Sequence, residues 1–138
     1  MEIENDFGHW IPPSNITTIP LDSIGFVYII SRISPTPKFY IGKKLLENKK
    51  KRRPLKGRVN SRRYKIESDW RSYTGSSSKL NDDMLALGKE NFKFEILSFH
   101  PSKLLLAYNE TKKIVDTNAV FSKEYYNEVI NIRARNRK

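Results

Sequence analysis

Cysteine is absent from this sequence, which excludes disulfide bonds, thiolate nucleophiles and any zinc site that needs sulfur ligands. Histidine is scarce. Only His9 and His100 are present, too few and too far apart to build an imidazole cluster; His9 reads as part of a terminal arm and His100 as the end of a strand. No apolar run approaches the ~18 residues of a spanning helix, and no basic amphipathic helix points to a membrane surface. The start Met-Glu-Ile-Glu-Asn-Asp is acidic where a secretory leader is basic, so a cytoplasmic protein is expected. Acids are also in short supply. Asp and Glu number 15 against 26 Lys and Arg, giving a formal charge of +11 and a pI near 9.9. A field of that sign favours polyanions as partners, nucleic acid first among them.

What is present suffices for a core: 38% of the 138 residues are hydrophobic, in a length that suits one domain. Residues 1–24, with Pro12, Pro13 and Pro20, read as an extended arm wrapping the domain and anchored by Trp10. The β-branched and aromatic runs 25–32 and 38–42 flank a turn at Pro35 and Pro37 and predict a hairpin. From 43 to 65 Lys and Arg face the single acid Glu47, and Pro54 and Gly57 break the pattern, so a short helix followed by a loop is expected. Ser77 to Gly88 pairs a capping serine with Leu80, Met84, Leu85 and Leu87 before a closing glycine, which predicts a helix. Residues 92–99 alternate as a third strand. Pro101 and Ser102 open a second helix through Leu104, Leu105, Ala107, Tyr108, Ile114 and Val115. The segment 125–132 reads as an extra strand or a packed extended segment. The fold class is therefore α+β, a three-stranded antiparallel sheet flanked by helices, with an arm at 1–24, a main domain at 25–132 containing the basic insert 43–65, and a basic tail at 133–138.

Gly25-Phe-Val-Tyr28 followed by Tyr40-Ile-Gly42 resembles the paired motifs that name the GIY-YIG nucleases. The second motif is intact, while the first carries an extra residue between its glycine and its tyrosine. Downstream come a basic segment, a helix, a third strand and a helix bearing Glu110 in a Glu-x-x-x-Ile pattern, the order found in that family. Tyr126-Asn127 is similar to the pair that closes the family's domain. The resemblance covers residues 25–132, and residues 67–77 are similar to a small, bacteriophage-encoded, homing-type subgroup. It implies a GIY-YIG-like fold and an endonuclease that hydrolyses DNA phosphodiester bonds with one Mg²⁺ or Mn²⁺, in the cytoplasm of a bacterial host if phage-encoded.

The same resemblance assigns roles. Glu110 would hold the metal, a hard cation suited to carboxylate, water and phosphate oxygens, which stabilises the leaving oxygen. Tyr28 and Tyr40 would position or deprotonate the attacking water. A phenol with a pKa of ~10 needs a nearby cation to act as a base; Lys44 is the candidate, or contacts phosphate itself. Arg52 and Arg71 are the candidates to hold the scissile phosphate, and Asn127 completes the catalytic set. Double-stranded DNA would be gripped through its backbone by Lys43, Lys49, Lys50, Lys51, Arg53, Lys56, Arg58, Arg62 and Arg63, with Tyr64, Trp70 and Tyr73 available for stacking on bases.

Residue by residue, plainer readings stay open. Glu110 reads equally as a surface carboxylate paired with Lys113, Asn127 as a turn residue, Trp70 as core, and Asp69, Asp82 and Asp83 as structural acids. Homing members of the family commonly carry a separate DNA-reading domain, whereas here the motif set ends near the end of the chain. Cleavage is accordingly expected to be weakly specific, or directed by a homodimer or a targeting partner. The rival function is a catalytically degenerate GIY-YIG-like module that binds DNA or a protein without cutting. An RNA-binding module finds no support in an RNP-like or Gly-x-x-Gly signature.

Overall fold

A computed structural model of the chain describes residues 6–52, 57 and 62–130, and their side chains except those of 49–52 and 62–65. In chain order the elements are β1 (Gly25–Arg32), β2 (Lys38–Leu45), β3 (Glu47–Arg52), β4 (Arg62–Glu67), α1 (Ser78–Leu87), β5 (Phe92–His100) and α2 (Lys103–Asp116). The main sheet is antiparallel with strand order β2-β1-β5. This is the α+β arrangement expected from the sequence.

The central strand β1 is covered on both faces, which is why it reads as a near-continuous apolar run and not as an alternation. Phe26, Tyr28 and Ile30 point into a large aromatic core with Trp10, Trp70, Leu80 and Phe94. Val27, on the other face, joins Ile41, Leu106 and Ile114 beneath α2. In β5, Phe92, Phe94 and Ile96 share the aromatic face, and Phe99 rejoins it only because of a bulge. Val27 pairs with Ser98 and Tyr28 with Ile96, so Leu97 is the extra residue that resets the period-two alternation.

Both outer edges of the sheet are covered, as isolated edges must be. On the β5 side the arm runs alongside: Ile11 N–H donates to Phe94 O at 2.8 Å and Ile96 N–H to Ile11 O at 2.9 Å. Trp10 is buried, and its indole N–H donates to Trp70 O at 2.5 Å. Phe7 and Trp10 thus belong to the main core. On the β2 side the segment after α2 closes in, with Phe39 N–H donating to Glu124 O and Tyr126 N–H to Phe39 O. No described helix is long and apolar enough to cross a membrane.

Three local expectations are corrected. Among its described residues the basic insert forms strand and not the expected short helix; after Leu46 the chain continues as the antiparallel pair β3–β4. Between those strands Gly57 is described, at a φ of 87°, and Pro54 lies outside the described residues. In α1, Leu80 and Met84 are buried one turn apart, but Leu85 is 88% exposed. In α2 the buried residues are Leu106 and Ile114, whereas Leu104, Leu105, Tyr108 and Val115 face outward. The core-facing line of α2 therefore runs 106, 110, 114 at spacings of four, and Glu110 sits in the middle of it.

Candidate active site

The geometry begins with one cross-strand pair. Tyr28 on β1 lies opposite Gly42 on β2, and a Cβ built at position 42 would overlap the Tyr28 ring and hydroxyl. The glycine is needed because the tyrosine ring occupies the space over it. The β1–β2 register is unbroken from Gly25 opposite Leu45 to Arg32 opposite Lys38, so the extra residue before Tyr28 is taken up by regular strand. Tyr28 is 1% exposed, yet its hydroxyl has no hydrogen-bond partner among the described residues. It is not sealed in either, since the single enclosed and unpartnered side-chain atom among those residues is His9 Nδ1. A buried tyrosine whose polar tip is left free at the edge of solvent is a group available to a ligand or a water.

Around Tyr28 stand two further phenols. The Tyr40 ring centroid is 6.2 Å away and that of Tyr73 is 6.3 Å away. The Tyr40 hydroxyl shares a 2.9 Å hydrogen bond with Ser76 Oγ, on the loop leading into α1, which Gly75 lets approach at a φ of 86°. Burial pushes the Tyr28 phenol well above its ordinary value, and the neighbouring Tyr40, Tyr73 and Glu110 add to this. Burial likewise raises Tyr40, against a smaller lowering by Ser76. Both are neutral donors at neutral pH. The expected cation is engaged elsewhere: Lys44 Nζ is 2.8 Å from Asp69 Oδ1 and 4.0 Å above the Tyr73 ring. Lys44 in turn holds the Asp69 carboxyl below its usual range. Sequence reasoning missed Asp69 and Ser76 as members of this cluster: both lie in the segment 67–77, but only the fold brings them to the phenols.

Glu110 is the carboxylate whose charge bears on both Tyr28 and Tyr40. It occupies the core-facing line of α2, its side chain is 16% exposed, and Oε1 is 3.2 Å from Lys43 Nζ on β2. Its partner is thus Lys43 across the sheet edge, and not Lys113 on its own helix. A glutamate placed between Leu106 and Ile114 on a buried stripe breaks the amphipathic rule, a local violation that singles it out as a candidate. Among the described residues no three His, Asp or Glu gather into a cage. One carboxylate with a second oxygen unengaged fits Mg²⁺ or Mn²⁺ all the same, because Mg²⁺ keeps several waters and takes the rest of its shell from phosphate oxygens.

Asn127 is buried and spends both ends of its amide on one residue. Its Oδ1 accepts from Ile41 N–H at 3.0 Å and its Nδ2 donates to Ile41 O at 2.8 Å. It thereby pairs with the outer edge of β2 between Tyr40 and Gly42, fixing the strand that carries both, and is a latch and not a turn residue. Arg71 lies in the arm-anchoring cluster, bonded to Glu67 and to Asp6 O and stacked 4.5 Å over Trp70. Trp70 is 1% exposed, so it is core and not a surface for stacking on bases.

Lys49, Lys50, Lys51 and Arg52 lie along β3, and Arg62, Arg63 and Tyr64 along β4; Arg53, Lys56 and Arg58 fall outside the described residues. The register sets Lys49 against Lys65, Lys51 against Arg63 and Arg52 against Arg62.

Comparison with known proteins adds one finding. Residues 10–130 match a family model described as "Putative endonuclease segE, GIY-YIG domain". No curated protein and no solved structure matches the chain.

Proposed function

The chain belongs to the GIY-YIG endonuclease family, and from that premise we propose that it is a nuclease that hydrolyses phosphodiester bonds of double-stranded DNA at the cluster of Tyr28, Tyr40, Lys44 and Glu110. The observation that carries this reading is the free hydroxyl of buried Tyr28, seated over Gly42 and close enough to Glu110 for the carboxylate's charge to bear on the phenol. A structural tyrosine at that depth would have its hydroxyl bonded.

The division of labour follows from the protonation states. Tyr28 and Tyr40, held neutral, orient the attacking water by hydrogen bonding and do not remove its proton. Lys44, braced by Asp69 over Tyr73, presents a fixed positive charge beside the phenols for a phosphoryl oxygen. Glu110 would hold one Mg²⁺ or Mn²⁺, which when bound supplies positive charge to stabilise the leaving oxygen. Lys43 holds the Glu110 carboxylate in position until then. Asn127 acts through β2 as a positioning residue. The Lys- and Arg-rich hairpin β3–β4 supplies backbone contacts to DNA, and the phosphate-holding arginine is assigned to Arg52 on β3, since Arg71 is committed to the arm.

Purified protein incubated with supercoiled DNA and Mg²⁺ or Mn²⁺ tests the reading. Nicking that a chelator abolishes supports it. Binding without nicking in either metal would select the degenerate module instead.

A further inference from the structure

Beside the phenol cluster, a cleft of about 420 Å³ opens between the end of β2 and the first turns of α2. Leu45, Leu106 and Ala107 give it an apolar lining, and Lys43, Lys44, Asn48 and Lys103 a polar and basic one. The volume lies in the ~300–1,000 Å³ range of ligand-sized clefts. Lys43 is engaged with Glu110 and Lys44 with Asp69. Lys103 is exposed and has no ion-pair partner among the described residues, and the Asn48 amide has no hydrogen-bond partner there. An apolar lining with an unneutralised cation and a free amide beside it matches a sugar–phosphate chain: the deoxyribose packs on the apolar residues and the phosphate meets the polar ones.

The placement relative to the candidate active site is fixed by the helix. Lys103, Ala107 and Glu110 fall at i, i+4 and i+7, on one face of α2. Seven residues at 1.5 Å per residue put Lys103 about 10 Å along the axis from Glu110. The cleft also reaches Asn48, on β3, the strand that carries Lys49 to Arg52. We propose that this cleft is a DNA-backbone subsite in which Lys103 and Asn48 hold the strand about 10 Å from the scissile phosphate, leading it from Glu110 onto the basic hairpin. This rests on the nuclease reading for where the cut falls, but not for whether the cleft binds DNA.

Lys112 provides the control, because nine residues from Lys103 it lies about 180° round the same helix and is also exposed. Binding of a short labelled duplex is measured by anisotropy across a salt series with chelator present, so that cleavage plays no part. Lys103→Ala should flatten the slope of log K against log salt by about 0.9, one phosphate contact, and Lys112→Ala should leave it unchanged. Equal slopes for the two variants overturn the subsite, whether or not the protein cuts. Ala107→Phe, which fills the apolar part of the cleft, should weaken binding at every salt concentration; wild-type affinity in a folded Ala107→Phe variant overturns it too. Where cutting is seen, a neutral methylphosphonate at a phosphate about 10 Å from the cut should slow the wild type and not Lys103→Ala. A failure to nick, with the Lys103 effect intact, sinks the nuclease reading and leaves the subsite standing.

Discussion

Replacing Tyr28 by Phe removes one oxygen atom from the centre of the candidate site, and the structure allows the consequences for stability and for catalysis to be separated. The hydroxyl has no hydrogen-bond partner among the described residues, so its loss leaves no donor or acceptor stranded. The ring still packs against Trp10 and over Gly42. The change in stability should stay below about 1 kcal/mol, a shift in melting temperature of at most roughly 5 °C for a domain of this size. Single-turnover cleavage, if the hydroxyl orients the water, should fall by roughly 10²-fold. Because burial keeps the phenol neutral, wild type and Tyr28→Phe should show parallel dependence of log rate on pH from 6 to 9. The assay is cleavage of a labelled duplex at saturating enzyme, with melting followed by circular dichroism. An unchanged rate would remove Tyr28 from the mechanism. A fall in melting temperature well beyond 5 °C would show that the hydroxyl is bonded in the folded protein, and a pH slope lost only in the variant would make Tyr28 the base.

Asn127→Ala strips both amide bonds from Ile41 and should cost about 2–4 kcal/mol, read as a drop of roughly 10 °C in melting temperature; wild-type melting would show that the latch is idle. Gly42→Ala should cost about 1–3 kcal/mol by overpacking against Tyr28 and lower cleavage by displacing the hydroxyl, whereas a fully active, equally stable variant contradicts the close approach. His9 is held down to about 4, mainly by burial and then by Lys89. Its unfolded form takes up a proton first as pH falls, so its contribution is complete above pH 6.5 and is lost between 6.5 and 4. His9→Phe, which keeps the stacking on Phe94, should flatten the melting temperature in that window, and an unaltered pH profile would contradict the assignment. Joint replacement of Lys49, Lys50, Lys51, Arg52 and Arg53 by Ala should weaken binding to all duplex sequences and flatten its salt dependence; an unchanged salt slope would turn the hairpin away from DNA.

Much of this was legible in the sequence where local pattern and tertiary role agree. The first hairpin, the third strand and both helices carry periodicity or caps that their final environments reinforce, as with Ser77 and Ser102, whose hydroxyls accept from Leu80 N–H and Leu105 N–H. The basic insert was misread because a run of Lys and Arg has no apolar period to distinguish strand from helix. Its strands are defined by pairing with each other, which only long-range structure supplies. Leu85 and the outward face of α2 were overcounted as core because apolar residues fall on three sides of that helix, and the sheet selects one. At the site, Tyr28, Tyr40 and Glu110 could be named from motif order, but not their surroundings. That Lys44 serves Asp69, that Asn127 holds Ile41 and that Arg71 belongs to the arm are contacts spanning 25 to 86 positions, and no spacing rule reaches across them.

The central claim is that Glu110 does chemistry and is not a carboxylate stabilising its helix through Lys43. Glu110→Ala should be compared with wild type on one supercoiled substrate with Mg²⁺ or Mn²⁺, with nicking and DNA binding read in parallel. Loss of metal-dependent nicking, with binding retained or tightened because a negative charge has left a phosphate site, is the predicted result. Nicking at the wild-type rate by Glu110→Ala would contradict it.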